Sequence, residues 1–454
     1  MEICALISAQ RAYFQTGATR PLAARQAALR RLQDAVLRHE TELHAALWQD
    51  LHKAPAEAYL TETGMVLSEL RCHLRHLAQW MKPQRVHTPL AQFRATSLLS
   101  PEPYGVTLIL APWNYPLQLC LLPLIGAISA GNCAIVHPSA EAPATCRAVA
   151  QLVAECFPPH YVAVVEGGYE TSLALLQERF DYLFFTGSVS MGRRVMELAS
   201  RHLTPVTLEL GGKSPVLLHE SADLALAARR IAFGKVLNAG QTCVAPDFVC
   251  LPRSMQSAFV QAYAQALQVF FPDGSYEDYP SIVNERHFLR LQRLMEGGTI
   301  ALGGTCDASL RRILPTVLTE VSPDAPILQE EIFGPILPLL PYDRWEEALA
   351  FLQAQEKPLA FYLFTQDRSS EKEVLRRCSF GGGCINDTIV HLATEQLPFG
   401  GVGSSGMGQY HGKRSFDTFT HTRSILRKAK FPDLSLRYHP YTAEKERWIR
   451  RFLR

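Results

Sequence analysis

One cysteine of this sequence stands in a setting that suits a nucleophile. Cys243 follows a helical pattern and a short glycine-containing turn in the segment FGKVLNAGQTCVAPDFVC. Such a turn can expose a thiol and offer the backbone N–H of the same residue to a bound oxygen. Because a thiol with a pKa of about 8.5 is only a few per cent thiolate at neutral pH, Cys243 would need local help to act as a nucleophile. Judged by residue type alone, a buried structural cysteine is the expectation.

Several further segments accompany this cysteine in a fixed order along the chain. They are PWNYP from Pro112, FTGSVSMG from Phe185, LELGGKSP from Leu208 and EEIFGP from Glu330, followed by the glycine-rich segment LPFGGVGSSGMGQYHGKRSFDTFTH. One such motif is a weak indication, whereas the ordered set is very hard to produce by chance. Over roughly residues 100–425 the chain therefore resembles the aldehyde dehydrogenase superfamily, and its short length resembles the class 3 branch.

This resemblance implies NAD(P)-dependent oxidation of aliphatic or aromatic aldehydes to carboxylic acids. The Cys243 thiolate would attack the aldehyde to form a thiohemiacetal, whose oxyanion needs preorganised hydrogen-bond donors. Asn114 and the Cys243 backbone N–H are similar to the family's donors, although Asn114 alone would fit a turn residue. Loss of hydride leaves a thioester, and Glu209 matches the family's general base, which activates water for hydrolysis. On its own, Glu209 would fit an exposed strand carboxylate, and the two glycines after it mildly favour a site.

The resemblance also implies a site for NAD or NADP. In FTGSVSMGR a strand runs into a helix, whose first N–H groups would face a pyrophosphate, with Gly187 and Gly192 easing close approach. Glu331 resembles the carboxylate that holds the nicotinamide ribose, and Phe333 resembles the ring that packs beside the nicotinamide. The residues expected at the cofactor are Trp113, His137, Gly187, Ser188, Gly192, Glu331 and Phe333.

The clearest departure from the family pattern lies in the segment IVHPSAEAP. The family usually has lysine and glutamate where this chain has His137 and Ala140. The family's lysine hydrogen-bonds the adenosine ribose or an attached phosphate, and its acidic residue helps to select NAD over NADP. A histidine is a weaker, pH-dependent donor with an ordinary pKa of about 6.5. The two substitutions leave the cofactor preference open and suggest dual use or a shift toward NADP.

Apolar residues around PWNYP favour an apolar substrate tail, with Tyr115 and Leu119 in the substrate pocket. The chain length of the aldehyde and the role of His411 stay open. One alternative is an acylating dehydrogenase that passes the thioester to coenzyme A, but Glu209 argues against it, because a thiol acceptor does not require that base. Another alternative is a catalytically impaired scaffold or binding protein, for which the substitution at His137 is the only support.

Two other patterns suggest sites but favour structural interpretations. The string G-x-G-x-x-G occurs at Gly401, Gly403 and Gly406, but no apolar strand precedes it, so a structural loop near the substrate or a subunit boundary is expected. The H-L-R-H run from His73, beside a cysteine, suggests a metal site. Its charged helical context instead predicts a solvated face and no metal.

The elements expected around these residues are those of an α/β protein. Residues 20–80 have apolar positions at helical spacing, and from Tyr104 short β-rich runs alternate with helical segments, which is typical of a parallel sheet covered by helices. With the resemblance, this predicts a Rossmann-like cofactor domain, an α/β catalytic domain and a small β oligomerisation element. The expected ranges are 1–81 and 104–208 for the cofactor domain, 209–394 for the catalytic domain, 82–103 and 395–425 for the bridging element and 426–454 for a C-terminal tail.

Composition limits the partners of the chain. A formal net charge of +2 without a long basic block gives a nucleic-acid partner no support, and a small aldehyde fits better. Eleven cysteines without a C-x-x-C pair argue against disulfides, and the N-terminus lacks a secretory pattern, so a cytoplasmic location is expected. The most apolar stretch is too short for a transmembrane segment. The resemblance implies a homodimer, and the basic tail is expected to form a solvated or docked helix, with contact to a membrane surface as the alternative.

Overall fold

The N-terminal layer of the protein is helical, as its apolar spacing predicts. The computed structural model describes residues 2–453 of the chain. Apolar residues that recur on one face of these helices, such as Leu29, Leu32 and Val36, are fully buried. The layer consists of α1 (Ile3–Gln15), α2 (Leu22–Arg38), α3 (Glu40–Leu51), α4 (Pro55–Ala58), the π-helical turn Tyr59–Thr63 and α5 (Gly64–Trp80).

Strands and helices alternate through most of the remaining chain. The strands are β1 (Gln84–Val86), β2 (Ala95–Pro103), β3 (Val106–Leu110), β4 (Cys133–His137), β5 (Val162–Val164), β6 (Tyr182–Gly187), β7 (Val206–Leu210), β8 (Pro215–Leu218), β9 (Phe248–Pro252), β10 (Thr299–Leu302), β11 (Cys306–Asp307), β12 (Arg312–Ile313), β13 (Thr316–Thr319), β14 (Ile336–Tyr342), β15 (Ala360–Phe364), β16 (Gly382–Ile385), β17 (Gly406–Met407) and β18 (Thr420–Lys428). The α-helices are α6 (Gln118–Ala130), α7 (Pro143–Cys156), α8 (Tyr169–Gln177), α9 (Val189–Ser200), α10 (Leu224–Val236), α11 (Gln256–Phe270), α12 (Glu285–Met295), α13 (Pro326–Gln329), α14 (Trp345–Ala354), α15 (Arg368–Arg377), α16 (Lys413–Thr418) and α17 (Ala443–Phe452).

The first sheet has the strand order β17-β7-β6-β3-β4-β5 and is parallel except for β17. Its strands β3 and β4 are buried at every position. Such continuous apolar strands are expected where helices cover both faces of a parallel sheet. The predicted Rossmann-like architecture is confirmed.

The second sheet has the order β10-β13-β14-β9-β8-β15-β16 and is parallel except for β10. The segment between α10 and β9 contains Cys243. A third, antiparallel sheet has the order β1-β2-β18. In β18 the side chains between Thr420 and Lys428 are exposed, so this edge strand lies on the molecular surface.

Three details differ from the sequence-based expectations. Gly406–Met407, expected in the bridging element, pairs with β7 of the first sheet, because its backbone continues the hydrogen-bonding pattern of that edge. Strand β7 extends past the expected boundary at residue 208 and includes Glu209. His73, expected on a solvated face, is fully buried, because its ring hydrogen-bonds Glu69 at 3.0 Å and Ser129 at 2.6 Å.

The C-terminal tail folds back beside the third sheet. Its helix α17 begins after Thr442, whose side chain accepts a hydrogen bond from the Lys445 N–H. An apolar groove of about 850 Å³ separates part of the tail, including Leu434 and Ile449, from Phe93. Among residues 2–453, every helix is too short or too polar to cross a membrane.

Candidate active site

Cys243 lies where two cavities meet. In the turn before it, Asn238 and Ala239 adopt left-handed backbone conformations with φ angles of 51° and 50°, which turn the chain sharply after α10. The half-buried Cys243 lines a larger cavity of about 330 Å³ and a smaller, mostly apolar cavity of about 130 Å³. A thiol between two cavities differs from the buried structural cysteine that residue type alone would suggest.

Glu209 lines the larger cavity together with Cys243. It lies opposite Gly406 in the pairing of β7 with β17, and its side chain is 2 % exposed. Neither carboxylate oxygen has a hydrogen-bond partner among the described residues. Burial raises the pKa of this carboxyl well above its usual range. Glu209 is therefore a buried acid held beside the thiol, and the interpretation as an exposed strand carboxylate is wrong.

The surroundings of the thiol disfavour the thiolate. Burial raises the pKa of Cys243, and the nearby carboxylates of Glu331 and Glu209 raise it further. Backbone hydrogen bonds from Cys243 and Val244 act in the opposite direction but are weaker. The raised pKa favours the thiol over the thiolate, so the group must lose its proton before it can attack a carbonyl.

Asn114 connects the turn before α6 to the loop that contains Cys243. Its side-chain Nδ2 donates to the Gln241 carbonyl at 3.1 Å, and its own carbonyl accepts from Asn238 Nδ2 at 2.8 Å. The side chain is almost fully buried and lines the larger cavity. Asn114 is thus an amide donor held next to Cys243. A role as a turn residue alone would not account for this placement.

The junction of β6 and α9 lies on the wall of the same cavity. Gly187 and Ser188 line it, and the Ser188 hydroxyl accepts a hydrogen bond from the Met191 N–H at 3.3 Å, which caps the start of α9. Gly192 does not line the cavity. A Cβ atom at this position would lie 2.5 Å from the Leu210 side chain, so the glycine allows α9 to pack closely on β7.

Glu331, Phe333 and Trp113 form another wall of the larger cavity. The Trp113 and Phe333 rings meet edge to face, with centroids 5.3 Å apart. Glu331 Oε1 is buried without a hydrogen-bond partner in the described chain, and burial, followed by the charge of Asp247, raises the pKa of this carboxyl to about 8. A free buried acceptor in the same cavity as the N-terminus of α9 fits a ligand with hydroxyl and phosphate groups, as in NAD or NADP.

His137 does not line the larger cavity, although the sequence places it among the cofactor residues. Its Nδ1 lies 2.6 Å from the Val165 carbonyl, which can only accept, so Nδ1 is the protonated nitrogen. Its Nε2 lies 2.8 Å from the Ser172 hydroxyl and accepts from it. Burial lowers the pKa of His137, which favours this neutral ring. The expected hydrogen bond from His137 to a ribose is therefore absent from this arrangement, because the one N–H of the ring is already used.

Two residues of α12, His287 and Arg290, also line the larger cavity, and the sequence analysis missed them. Arg290 donates to the Glu331 carbonyl at 3.2 Å and to the Ile332 carbonyl at 2.6 Å, so it supports the turn that contains Glu331. The His287 ring lies 5.3 Å from the Trp113 ring. Helix α12 carries no motif, and only its strong amphipathic pattern distinguishes it in the sequence.

The smaller cavity contains both residues expected in the substrate pocket. Tyr115 and Leu119 line it, and the Tyr115 hydroxyl lies 2.5 Å from the Thr242 hydroxyl. Met65 and Leu392 contribute further apolar side chains to the wall of this cavity. His411 also lines it, and its Nε2 is buried without a hydrogen-bond partner among the described residues. The cavity suits an apolar group that extends from Cys243.

The G-x-G-x-x-G string and the possible metal site at His73 were the two other patterns in the sequence. A Cβ atom at Gly406 would lie 2.2 Å from the Leu208 carbonyl, so this loop needs glycine to pack against β7. Residues 2–453 contain no group of three or more His, Cys, Asp or Glu side chains arranged to hold a metal.

Comparisons with known proteins identify the family of this chain. The aldehyde dehydrogenase family matches residues 1–425. The 4,4'-diaponeurosporen-aldehyde dehydrogenase of Staphylococcus aureus (strain NCTC 8325 / PS 47) is 45% identical over 448 residues, covering 98% of this chain and 97% of the relative. Aldehyde dehydrogenase family 3 member A2 of Macaca fascicularis is 43% identical over 444 residues, covering 97% and 92%.

A solved structure of Staphylococcus aureus AldH, described as a substrate-bound state, superimposes with a TM-score of 0.98 at 44% identity, and the match covers 100% of both chains. The resemblance to the class 3 branch, which was expected from the short length of the chain, is confirmed by the family 3 relative. The chain belongs to the aldehyde dehydrogenase family, whose members oxidise aldehydes to carboxylic acids with NAD or NADP.

Proposed function

We propose that Cys243 is the nucleophile of this aldehyde dehydrogenase, that Asn114 and the Cys243 backbone N–H hold the oxyanion, and that Glu209 activates the hydrolytic water. One observation carries the proposal: Cys243, Asn114 and Glu209 line a single cavity that also contains the start of α9 and Glu331. The reaction needs Cys243, Asn114 and Glu209 within reach of one carbonyl carbon, and it needs the groups that hold the cofactor in the same cavity.

In the first step the thiol of the partly exposed Cys243 loses its proton to solvent, the resulting thiolate sulfur bonds to the aldehyde carbon, and the π electrons of the carbonyl move to its oxygen. This oxyanion accepts hydrogen bonds from the Cys243 N–H and from the Asn114 amide. One N–H of that amide is held by the Gln241 carbonyl at 3.1 Å, which leaves the other for the oxyanion. Loss of one such donor costs about 3 kcal/mol of transition-state stabilisation.

The cofactor, when bound, supplies the nicotinamide that accepts hydride from the aldehyde carbon, and the acyl group stays on sulfur as a thioester. The first N–H groups of α9 would face its pyrophosphate, and Glu331 would accept hydrogen bonds from ribose hydroxyls. The unpartnered Oε1 of Glu331 supports this role. The residues proposed to hold the cofactor are Trp113, Gly187, Ser188, Glu331, Phe333, His287 and Arg290.

Hydrolysis completes the reaction. The ionised form of Glu209 takes a proton from water, the water oxygen bonds to the thioester carbon, and collapse of the adduct expels the Cys243 thiolate and releases the acid. A carboxylate whose pKa is raised is a stronger base once it is ionised. Glu209 lines the same cavity as Cys243, so a base for water is available at the thioester. This supports transfer of the acyl group to water rather than to coenzyme A, because a thiol acceptor does not require that base.

Cys243→Ala tests the proposal directly. We expect this variant to lose production of reduced cofactor with every aldehyde, because no thiohemiacetal can form. Cys306→Ala, at a half-buried cysteine outside both cavities, is the matched control and should retain turnover. Absorbance of the reduced cofactor measures both. Residual turnover by Cys243→Ala at the level of the control would show that another group is the nucleophile.

For the substrate we propose aliphatic or aromatic aldehydes whose apolar part occupies the smaller cavity. Tyr115, Leu119 and Leu392 on its wall support an apolar occupant. A kinetic series of aldehydes of increasing chain length tests this: kcat/KM should rise with apolar length. A preference for small polar aldehydes would contradict it.

For the cofactor we propose dual use or a shift toward NADP. Ala140 is exposed and uncharged, so it does not repel a 2′-phosphate. The adjacent Glu141 accepts from Asn284 at 2.7 Å, which holds its charge against α12. Steady-state kcat/KM for the two cofactors measures the preference, and a hundredfold preference for NAD would overturn the proposal.

We further propose that the first sheet carries the cofactor domain, that the second carries the catalytic domain, and that the third sheet joins two copies of the chain into a homodimer. The exposed edge strand β18 supports this assembly. A cytoplasmic location is also proposed, which the free state of all eleven cysteines supports. Light scattering during size exclusion tests the dimer, which should have twice the 50.6 kDa chain mass.

A further inference from the structure

A buried ion pair lies directly behind the turn that contains Asn114. The side chains of Lys53 and Glu62 are both fully buried, and Lys53 Nζ lies 2.7 Å from Glu62 Oε1. Lys53 follows α3, and Glu62 lies in the π-helical turn Tyr59–Thr63. Irregular turns of this kind within helices recur at functional sites. Neither charged side chain lines the two cavities at Cys243, so neither touches a bound substrate.

Glu62 holds the start of α6. Its second oxygen, Oε2, accepts hydrogen bonds from the Leu117 N–H at 3.1 Å and from the Gln118 N–H at 2.8 Å. A carboxylate is favourable at a helix N-terminus, where backbone N–H groups lack partners within the helix. The end of the turn after Asn114 is thereby tied to the N-terminal helical layer.

Lys53 holds the other end of the same turn. Its Nζ donates to the Asn114 carbonyl at 3.3 Å and lies 4.3 Å from the centre of the Tyr115 ring. The Asn114 carbonyl also accepts from Asn238 Nδ2, next to the Cys243 loop. The backbone of Asn114 is therefore held from two sides, by Lys53 on one and by the Cys243 loop on the other.

Stability alone does not account for this pair. Transfer of two charges into a protein interior costs about as much as their attraction returns, and apolar replacements of buried pairs are often as stable. We infer that Lys53 and Glu62 are positioning residues, which hold the Asn114 amide where the oxyanion forms and so act on addition of the Cys243 thiolate to the aldehyde. This inference rests on the roles proposed above for Asn114 and Cys243.

The test is a double-mutant cycle on the rate of hydride transfer in a single turnover. The double variant Lys53→Met/Glu62→Gln removes both charges and keeps an acceptor for the start of α6. We expect about a tenfold slower burst of reduced cofactor, because small misplacement of an oriented group is costly. In the Asn114→Ala background the same double variant should slow the burst less than about twofold, because the amide it positions is gone.

Two further measurements distinguish positioning from general damage. Cofactor affinity and the rate of alkylation of Cys243 by iodoacetamide should change less than about twofold, since neither depends on the Asn114 amide. Arg25→Met is the matched control, because Arg25 is a buried cation at the opposite end of α6, where it donates to the Ser129 carbonyl at 2.9 Å. It should lower Tm and leave the burst rate unchanged.

Equal slowing in the wild-type and Asn114→Ala backgrounds, or no slowing in either, would overturn the inference. If the double variant does not fold, Lys53→Arg is the second test, because a guanidinium places its donors differently from an ammonium group. We expect this variant to slow the burst by less than the double variant does, and only in the wild-type background. An unchanged burst would overturn the inference. A burst that Asn114→Ala alone leaves intact would instead refute the role proposed for Asn114.

Discussion

Glu209 is expected to act after the thioester has formed. In Glu209→Gln the first turnover should therefore still yield reduced cofactor, whereas steady-state turnover should fall by about 10²–10⁴-fold, because general base catalysis of the water attack is lost. Rapid-mixing absorbance separates the two phases. A variant in which the burst disappears together with turnover would place Glu209 in the addition step instead.

The pKa of Cys243 sets the pH dependence of the burst. Burial raises this pKa most, and the charges of Glu331 and Glu209 raise it further. At a pH below the pKa the thiolate is the minor form, and its fraction increases as the pH rises. The single-turnover rate with saturating cofactor should increase between about pH 6 and pH 9. A rate that is flat or falls across this range would contradict a thiol that must ionise before attack.

Burial of Glu209 also makes stability depend on pH. Because its pKa is raised in the folded protein, the unfolded chain loses this proton first, and stability is lost as the pH rises above the unfolded value of about 4.3. Glu209→Gln should thus be more stable than the wild type by about 1–3 kcal/mol near pH 8 and show little difference near pH 4. Denaturant unfolding at the two pH values measures this. A larger gain at the acid pH would show the opposite sign.

The turn after β7 depends on close approach to Glu331. A Cβ atom at Gly211 would lie 2.0 Å from the Glu331 carboxylate, whereas at Gly212 the nearest atoms are 3.7 Å away. Gly211→Ala should displace Glu331 and weaken cofactor binding by about tenfold, equivalent to 1.4 kcal/mol, while Gly212→Ala serves as the accommodated control. Fluorescence titration gives both dissociation constants. Equal affinity in the two variants would argue against Glu331 as a cofactor ligand.

At the scale of elements, local sequence patterns located most strands and helices. The runs VTLIL and CAIVH form β3 and β4, and the helical pattern after PWNYP forms α6. Periodicity identifies such elements because burial of one face is a local property of the sequence. It did not identify β17, since two residues without an apolar pattern pair only where β7 offers them a free edge.

The assembly proposed for the whole molecule depends on β18. Strand β18 already carries Arg423, Arg427 and Lys428. A lysine in place of Leu426 removes an exposed apolar side chain and adds a fourth cation, which opposes pairing with an identical strand. Leu426→Lys should therefore shift the protein toward the 50.6 kDa monomer. Leu310→Lys, at a side chain of similar exposure (46%, against 49% for Leu426), is the control. Size exclusion with light scattering measures the mass, and a dimer that survives Leu426→Lys would place the interface elsewhere.

The amino-acid sequence by itself determined the class of fold, the family and the residues able to carry the chemistry, because apolar periodicity and ordered motifs are local properties. The tertiary structure decided which of these residues meet. Parallel strands with crossover helices bring Asn114, Glu209, Cys243 and Glu331 to one cavity, although up to 217 positions separate them (331 − 114). It also places both ring nitrogens of His137 in hydrogen bonds within the protein, with Val165 and Ser172. Such pairings depend on neighbours distant in the chain, which no local pattern records.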